Sequence, residues 1–240
     1  MLIFLVVAAL ADLPVVVIDP GHVGAQAGAT GICGLTEKDA TLAVSIELGR
    51  LLDQSGRART VLTRSDDRDI DLAARAQISN AEGASLFVSI HANASDREAS
   101  KGIETYFLSQ RAADRRLRAL AQRENEGAPF FSNRADSDVQ VILDGLRIDA
   151  AREASVRLAT RLHKSLSAKL IARARGVQQA PFAVLVGAKA PAVLVEVGFL
   201  TNPDECAALA QVEHQRKVAQ ALAAAILAHL SVEERALALR

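Results

Sequence analysis

This 240-residue sequence predicts an α/β fold, a single domain whose mostly parallel, twisted sheet is flanked by helices on both faces. Three observations predict it. Apolar runs of strand length alternate with segments of helical period. The strand runs are near-continuous Val, Ile and Leu, as in parallel sheets buried on both faces. With 50% hydrophobic and 23% charged residues, the chain can also bury a sizeable core.

In order, residues 14–18 (PVVVI) read as a buried strand and 38–53 as a helix with Leu42, Ile46 and residues 48–52 inward. Residues 60–63 form a short strand and Leu72–Ala81 a helix. Residues 85–90 (SLFVSI) and 102–108 (GIETYFL) are two more strands, followed by helices over 112–126 and 150–171. The longer helix carries Leu158, Leu162, Leu166 and Leu170 at a spacing of four, which marks its buried stripe. Residues 182–186 and 192–197 complete the strands, and 212–230 is the last helix. Residues 126–140 mix Gly, Pro, Asn and Asp without periodicity and read as an insertion, not a domain boundary. The domain is expected over 14–232, with an extra segment at 1–13 and a tail at 233–240.

Residues 1–11 (MLIFLVVAALA) are apolar, uncharged and end in an A-x-A pattern. Two readings stand: the remnant of a secretory signal, or a first buried strand continuous with Val15 to Ile18. The stretch is too short for a membrane span, which takes about 20 residues. A formal net charge of zero and the lack of a basic run with interleaved aromatics argue against nucleic acid. The 3% aromatic content argues against broad stacking on a sugar or base ladder. Cys33 and Cys206 lie far apart with no C-x-x-C spacing, so neither a disulfide framework nor a thiolate metal site is expected.

The first strand runs into Asp19-Pro20-Gly21-His22, and the third runs into His91-Ala92-Asn93. Ligands bind at the carboxyl ends of strands in open α/β sheets, so His22 and His91 can converge there as metal ligands. A catalytic zinc takes three protein ligands. Glu37 follows His22 after a loop containing Gly24, Gly28, Gly31 and Gly34, and is a candidate for the third. It equally fits a capping box in Thr36-Glu37-Lys38-Asp39.

Glu196 is the one carboxylate in the apolar run 190–200 (APAVLVEVGFL). A buried charge costs several kcal/mol, on the order of a whole core side chain, unless it is paired or beside a cation. It is therefore a candidate general base next to a metal-activated water, with an inward salt bridge or a protonated core acid as the alternatives. His163, His214 and His229 read as structural or solvated, His229 as a cation near a helix C-terminus. A P-loop and a GxSxG elbow are both missing from the sequence, so nucleotide and serine-hydrolase chemistry lose support.

Six separated motifs then carry a resemblance: VVVIDPGH (15–22), Glu37-Lys38-Asp39, SIHAN (89–93), GIETYFLS (102–109), RGVQQAPFAVL (175–185) and PAVLVEVGFLTNPDE (191–205). Together they closely resemble the zinc-dependent N-acetylmuramoyl-L-alanine amidases of bacterial cell-wall hydrolysis. The resemblance implies one Zn2+ held by His22, Glu37 and His91, Glu196 as catalytic acid/base, and export to the periplasm. It implies hydrolysis of the amide between N-acetylmuramic acid and L-alanine, with peptidoglycan as partner.

Residues 112–145 match in placement the insertion of the division-associated members, in which a helical carboxylate fills the metal's open position until an activator protein displaces it. Glu124 is the leading candidate for that plug, with Glu126 and Asp144 behind it. The bland alternative is that these are solvated acids on an exposed helix. The sequence departs from the family at Val23, where Gly is usual, and at Cys33, a thiol expected near the metal. A zinc peptidase cutting within the stem peptide and a non-catalytic wall-binding module are the rival functions.

Overall fold

The computed structural model describes residues 13–109, 114–126, 138–170 and 172–238, with side chains from 151 onward in the third stretch and up to 236 in the last. The strands are β1 (Val15–Pro20), β2 (Arg59–Leu62), β3 (Leu86–Asn93), β4 (Ile103–Leu108), β5 (Ala174–Ala180) and β6 (Ala192–Phe199). The described helices are α1 (Glu37–Gln54), α2 (Leu72–Ala81), α3 (Arg115–Glu124), α4 (Asp138–Leu170), α5 (Pro203–Leu209) and α6 (Val212–Ala238). One sheet runs in the order β2-β1-β3-β6-β4-β5. Its pairs are parallel except β4 with β6.

Strand alternation sorts side chains onto two faces. One face carries Val16, Ile18, Val88, Ile90, Val193 and Val195, and it packs on Leu48 of α1, Leu158 and Leu162 of α4 and Leu222 of α6. The other carries Val17, Phe87, Tyr106 and Leu194 and packs on Leu117, Leu120 and Ala121 of α3. The second face is where the strand ends present their polar residues. Register places His91 beside Glu196 and Glu196 beside Glu104, so one row at the carboxyl edge holds three ionisable side chains on that face.

Several expectations need correction. Residues 182–186 are not a strand: Ala183–Leu185 form one 3-10 turn, because the chain after Pro181 packs its side chains down onto the sheet instead of pairing. The strand lies just before, as β5, whose edge position leaves it half-buried and without a continuous apolar run. Helix α5 was not anticipated; its start is set by Asn202, whose side chain accepts from Glu205 N, with Pro203 in the first turn. Helix α4 begins at Asp138, inside the stretch read as irregular, and α6 continues to Ala238. His229 therefore lies inside a helix and fully buried, not at a helix end, and burial lowers its pKa.

The cysteines are also corrected. Cys33 and Cys206 form a disulfide with Cα atoms 5.9 Å apart, so no free Cys33 thiol stands near the candidate site. The bond pins the loop before α1 to α5 across 173 positions. Closing a loop of that length stabilises by about 5 kcal/mol in the chain-entropy picture. Residues 1–12, on which the signal reading falls, lie outside the described residues, and no described helix is long and apolar enough to cross a membrane.

A candidate metal centre under a docked helix

Three of the anticipated residues come together with a fourth. Ligand atoms of His22, Glu37, His91 and Glu124 all lie within 4.8 Å of one another. His22 Nε2 is 3.2 Å from Glu37 Oε1 and 2.9 Å from Glu124 Oε2. His91 Nδ1 is 3.1 Å from each of the same two oxygens. The cluster opens on a cavity of about 480 Å³ bordered by residues 25–29, Leu72 and Arg75.

Each ligand is placed by its own element. His91 comes from the end of β3, and its ring lies against Gly21, where a Cβ would come within 2.6 Å. His22 follows β1 in the left-handed region at φ 59, a conformation uncommon for a non-glycine residue. Because His22 and Gly24 take the positive φ values, Val23 does not need one, so a β-branched side chain is accommodated there.

Glu37 lies in the first turn of α1, where the cap is made by its neighbours while its own carboxylate joins the cluster. Thr36 caps α1, accepting from Asp39 N and donating to Asp39 Oδ2 at 2.5 Å. The Glu37 carboxylate meanwhile turns inward, accepting from Ala92 N and Ala29 N at 3.0 Å each. The loop folds back as expected, with Glu37 N donating to Ala29 O, and Gly28 at φ 69 sits so close that a Cβ would meet Glu37 Oε2 at 2.6 Å.

Glu124 sits on α3 four positions after Leu120, so it continues the apolar stripe of Leu117, Leu120 and Ala121 onto the cluster. The neighbouring Arg123 donates to Glu124 Oε1 at 3.1 Å and reaches Ala94 O and Asn93 Oδ1 on the sheet. Asn125 ties the helix end down through Pro181 O and Ala183 N. Glu126 is exposed at the cavity rim, and the Asp144 side chain lies outside the described ones.

The electrostatics favour a cation. Burial acts to lower the His22 pKa, yet hydrogen bonds to Glu124 and Glu37 raise it to about 10. Burial likewise opposes, and the same carboxylates overcome, a rise at His91. Against its own burial, Glu124 is held well below the ordinary carboxylate range by the hydrogen bonds and charge of the two imidazoles. Two carboxylates this close need compensating positive charge, and the two inward-facing imidazole nitrogens complete a donor set suited to a borderline divalent ion such as zinc.

A pH prediction follows for metal-free protein. A histidine whose folded pKa is raised contributes stability that is complete below its unfolded value of 6.5 and is lost as pH rises through about 10. Thermal midpoints of chelator-treated protein are expected to fall across that window. A bound dication requires neutral imidazoles, so metal should flatten the decline, and equal slopes with and without metal would contradict it.

Glu196 is fully buried beside His91, and both its oxygens lack a hydrogen-bond partner among the described residues. Burial, then the charges of Glu124 and Glu37, push its pKa well up. Glu104 occupies the next strand with the same burial and the opposite circumstances. It accepts from Arg116 and Arg175 at 2.8 Å, from Asn93 Nδ2 at 2.8 Å and from the Tyr106 hydroxyl at 2.7 Å. The sequence reading missed Glu104, although GIETYFL shows the same signature as APAVLVEVGFL, one acid in an apolar strand. His163 is structural, its ring facing Thr105 Oγ1 and Gly176 N.

Comparison with known proteins gives consistent results. The family described as N-acetylmuramoyl-L-alanine amidase matches residues 16–228. N-acetylmuramoyl-L-alanine amidase AmiA of Escherichia coli K12 is 35% identical over 221 residues, 90% of this chain and 75% of that protein. AmiC of Escherichia coli O6:H1 is 31% identical over 234 residues, and there the chain spans 54% of the relative's length. The catalytic domain of CwlV from Paenibacillus polymyxa superposes with a TM-score of 0.71 at 32% identity, covering 92% of this chain and 99% of that domain.

Proposed function

The chain belongs to the N-acetylmuramoyl-L-alanine amidase family and is a cell-wall amidase, and on that premise we propose that it is a zinc enzyme with an autoinhibited active site. The observation that carries the reading is the convergence of His22, Glu37 and His91 with a fourth ligand, Glu124, supplied by a helix docked over the sheet. His22, Glu37 and His91 would hold the ion. Zinc bound there supplies Lewis-acid polarisation of the scissile carbonyl and acidification of water.

Glu196 moves the protons. Its raised pKa suits a group that takes a proton from the attacking water and delivers it to the leaving amine nitrogen of L-alanine. Atoms balance as a hydrolysis: the C–N bond breaks, the carbonyl carbon gains hydroxyl and the nitrogen gains hydrogen. Glu124 stands where substrate must approach, and with α3 seated Glu196 has no exposed surface, so the docked state is closed.

The closed arrangement supports the division-associated type with an inhibitory insertion, serving daughter-cell separation and opened by an activator protein. The Cys33–Cys206 disulfide supports an oxidising compartment outside the cytoplasm, such as the periplasm. Digestion of purified peptidoglycan by zinc-loaded chain lacking residues 112–145 is expected to release intact stem peptides with an L-alanine amino terminus, identified by mass. Fragments cut inside the stem, or products formed equally after zinc removal, would overturn the assignment.

A further inference from the structure

We propose that Arg64 is a positioning residue for the metal centre, a buried guanidinium that ties the turn carrying His22 to the helix start carrying Glu37. This rests on the zinc reading above and deepens it.

Arg64 follows β2 and is the largest fully buried side chain of the described residues. Its Nε donates to Pro20 O at 3.0 Å, and its Nη2 donates to Gly21 O at 2.9 Å, so it grips both carbonyls that precede His22. The same Nη2 donates to Lys38 O at 2.9 Å, the carbonyl just after Glu37. Nη2 also lies 3.3 Å from Thr41 Oγ1, and that hydroxyl donates in turn to Gly21 O at 2.8 Å. One planar fork thus spans two segments that meet nowhere in sequence, each ending at a candidate metal ligand.

Two physical facts say that the bridge has a purpose beyond packing. First, among the described residues Arg64 makes no hydrogen bond to a carboxylate. Burial lowers its pKa, and Asp19, Asp67 and Asp39 act on it only through space, so the fold spends a buried cation on backbone carbonyls. Second, the turn it holds is strained. His22 adopts φ 59, which persists in a non-glycine residue only where the surroundings over-determine it.

Arg75 supplements the hold by donating to Pro20 O at 2.8 Å, but it is paired with Asp19 and does not reach α1. Arg64 spans both, which makes it the residue that sets the separation of His22 from Glu37.

The test compares zinc affinity with fold stability in the full chain. Arg64→Lys keeps the charge but not the planar fork, and Thr41→Val removes the hydroxyl that completes the bridge without removing a charge. Zinc dissociation constants are measured by competition with a chromophoric chelator, and thermal midpoints on the metal-free proteins.

Arg64→Lys is expected to weaken zinc binding by about 10- to 100-fold, as loss of an outer partner of a metal ligand typically does. Thr41→Val should weaken it by a smaller factor in the same direction. Dissociation constants within about 2-fold of the parent (against that expected range), with lowered thermal midpoints, would overturn the proposal and leave Arg64 as a structural residue. If Arg64→Lys does not fold, Thr41→Val decides alone. A parent chain that binds no zinc would overturn the zinc reading itself, an outcome distinct from parent binding that the variants leave unchanged.

Discussion

Glu196→Gln is expected to lower kcat by about 10²- to 10⁴-fold while zinc binding is retained, the loss typical of removing a general acid–base group. The same substitution should raise the thermal midpoint of the metal-free protein at neutral and alkaline pH. Glu196 has a raised folded pKa, so whatever stability its protonated form contributes is lost as pH climbs above the ordinary carboxylate value. Between that value and its own raised pKa the buried acid must be held protonated at a cost that grows with pH, and a neutral amide of nearly the same volume does not titrate and carries no such cost. Activity and stability should therefore move in opposite directions. Kinetics on peptidoglycan and melts of chelator-treated protein check both at once, and a variant that is less stable and fully active would make Glu196 a structural acid.

Glu124→Ala is expected to raise the basal activity of the isolated chain by about 10- to 100-fold. Hydrogen bonds to charged groups are worth roughly 1.5–3 kcal/mol, and losing such contacts shifts a closed-to-open equilibrium by that factor. The substitution removes the contacts to His22 Nε2 and His91 Nδ1 and leaves the helix attached. Burial of Leu117 and Leu120 at about 1.5–3 kcal/mol each, with the Arg116 and Asn125 hydrogen bonds, continues to hold α3 on the sheet. Deleting 112–145 should release the site further, at the cost of exposing the Tyr106 and Phe182 floor beneath the helix. Initial rates for parent, Glu124→Ala and the deletion, all zinc-loaded, decide the matter: three equal rates would mean that α3 does not inhibit.

Glu124 was picked out only through the family resemblance, and the helix stripe accounts for its inward placement. Leu117, Leu120 and Ala121 define a buried face, and helical spacing puts position 124 on that same face, so an acid there must meet something inside. Glu126, two positions on, falls on the exposed side. The strand-end histidines were legible directly, since a continuous apolar run that stops at His91 delivers it to the carboxyl edge of the sheet. Strand β5 and helix α5 were not, because an edge strand needs no apolar run and a short helix shows too few turns for a period.

By itself the sequence determined the α/β class, the placement of His22 and His91 at strand ends and the presence of a lone acid in a buried strand. Those follow from local periodicity and from where each apolar run ends. Only the tertiary structure separated Glu196 from Glu104, two acids with one sequence signature. Arg116 and Arg175, distant in the chain, neutralise Glu104, while nothing among the described residues donates to Glu196. Tertiary structure likewise decided that Cys33 meets Cys206 and that Arg64 joins the two segments that carry His22 and Glu37. The physical reason is common to all three: the partner that fixes each group's chemistry comes from another strand, helix or loop, and no pattern within one segment encodes a contact made across the fold.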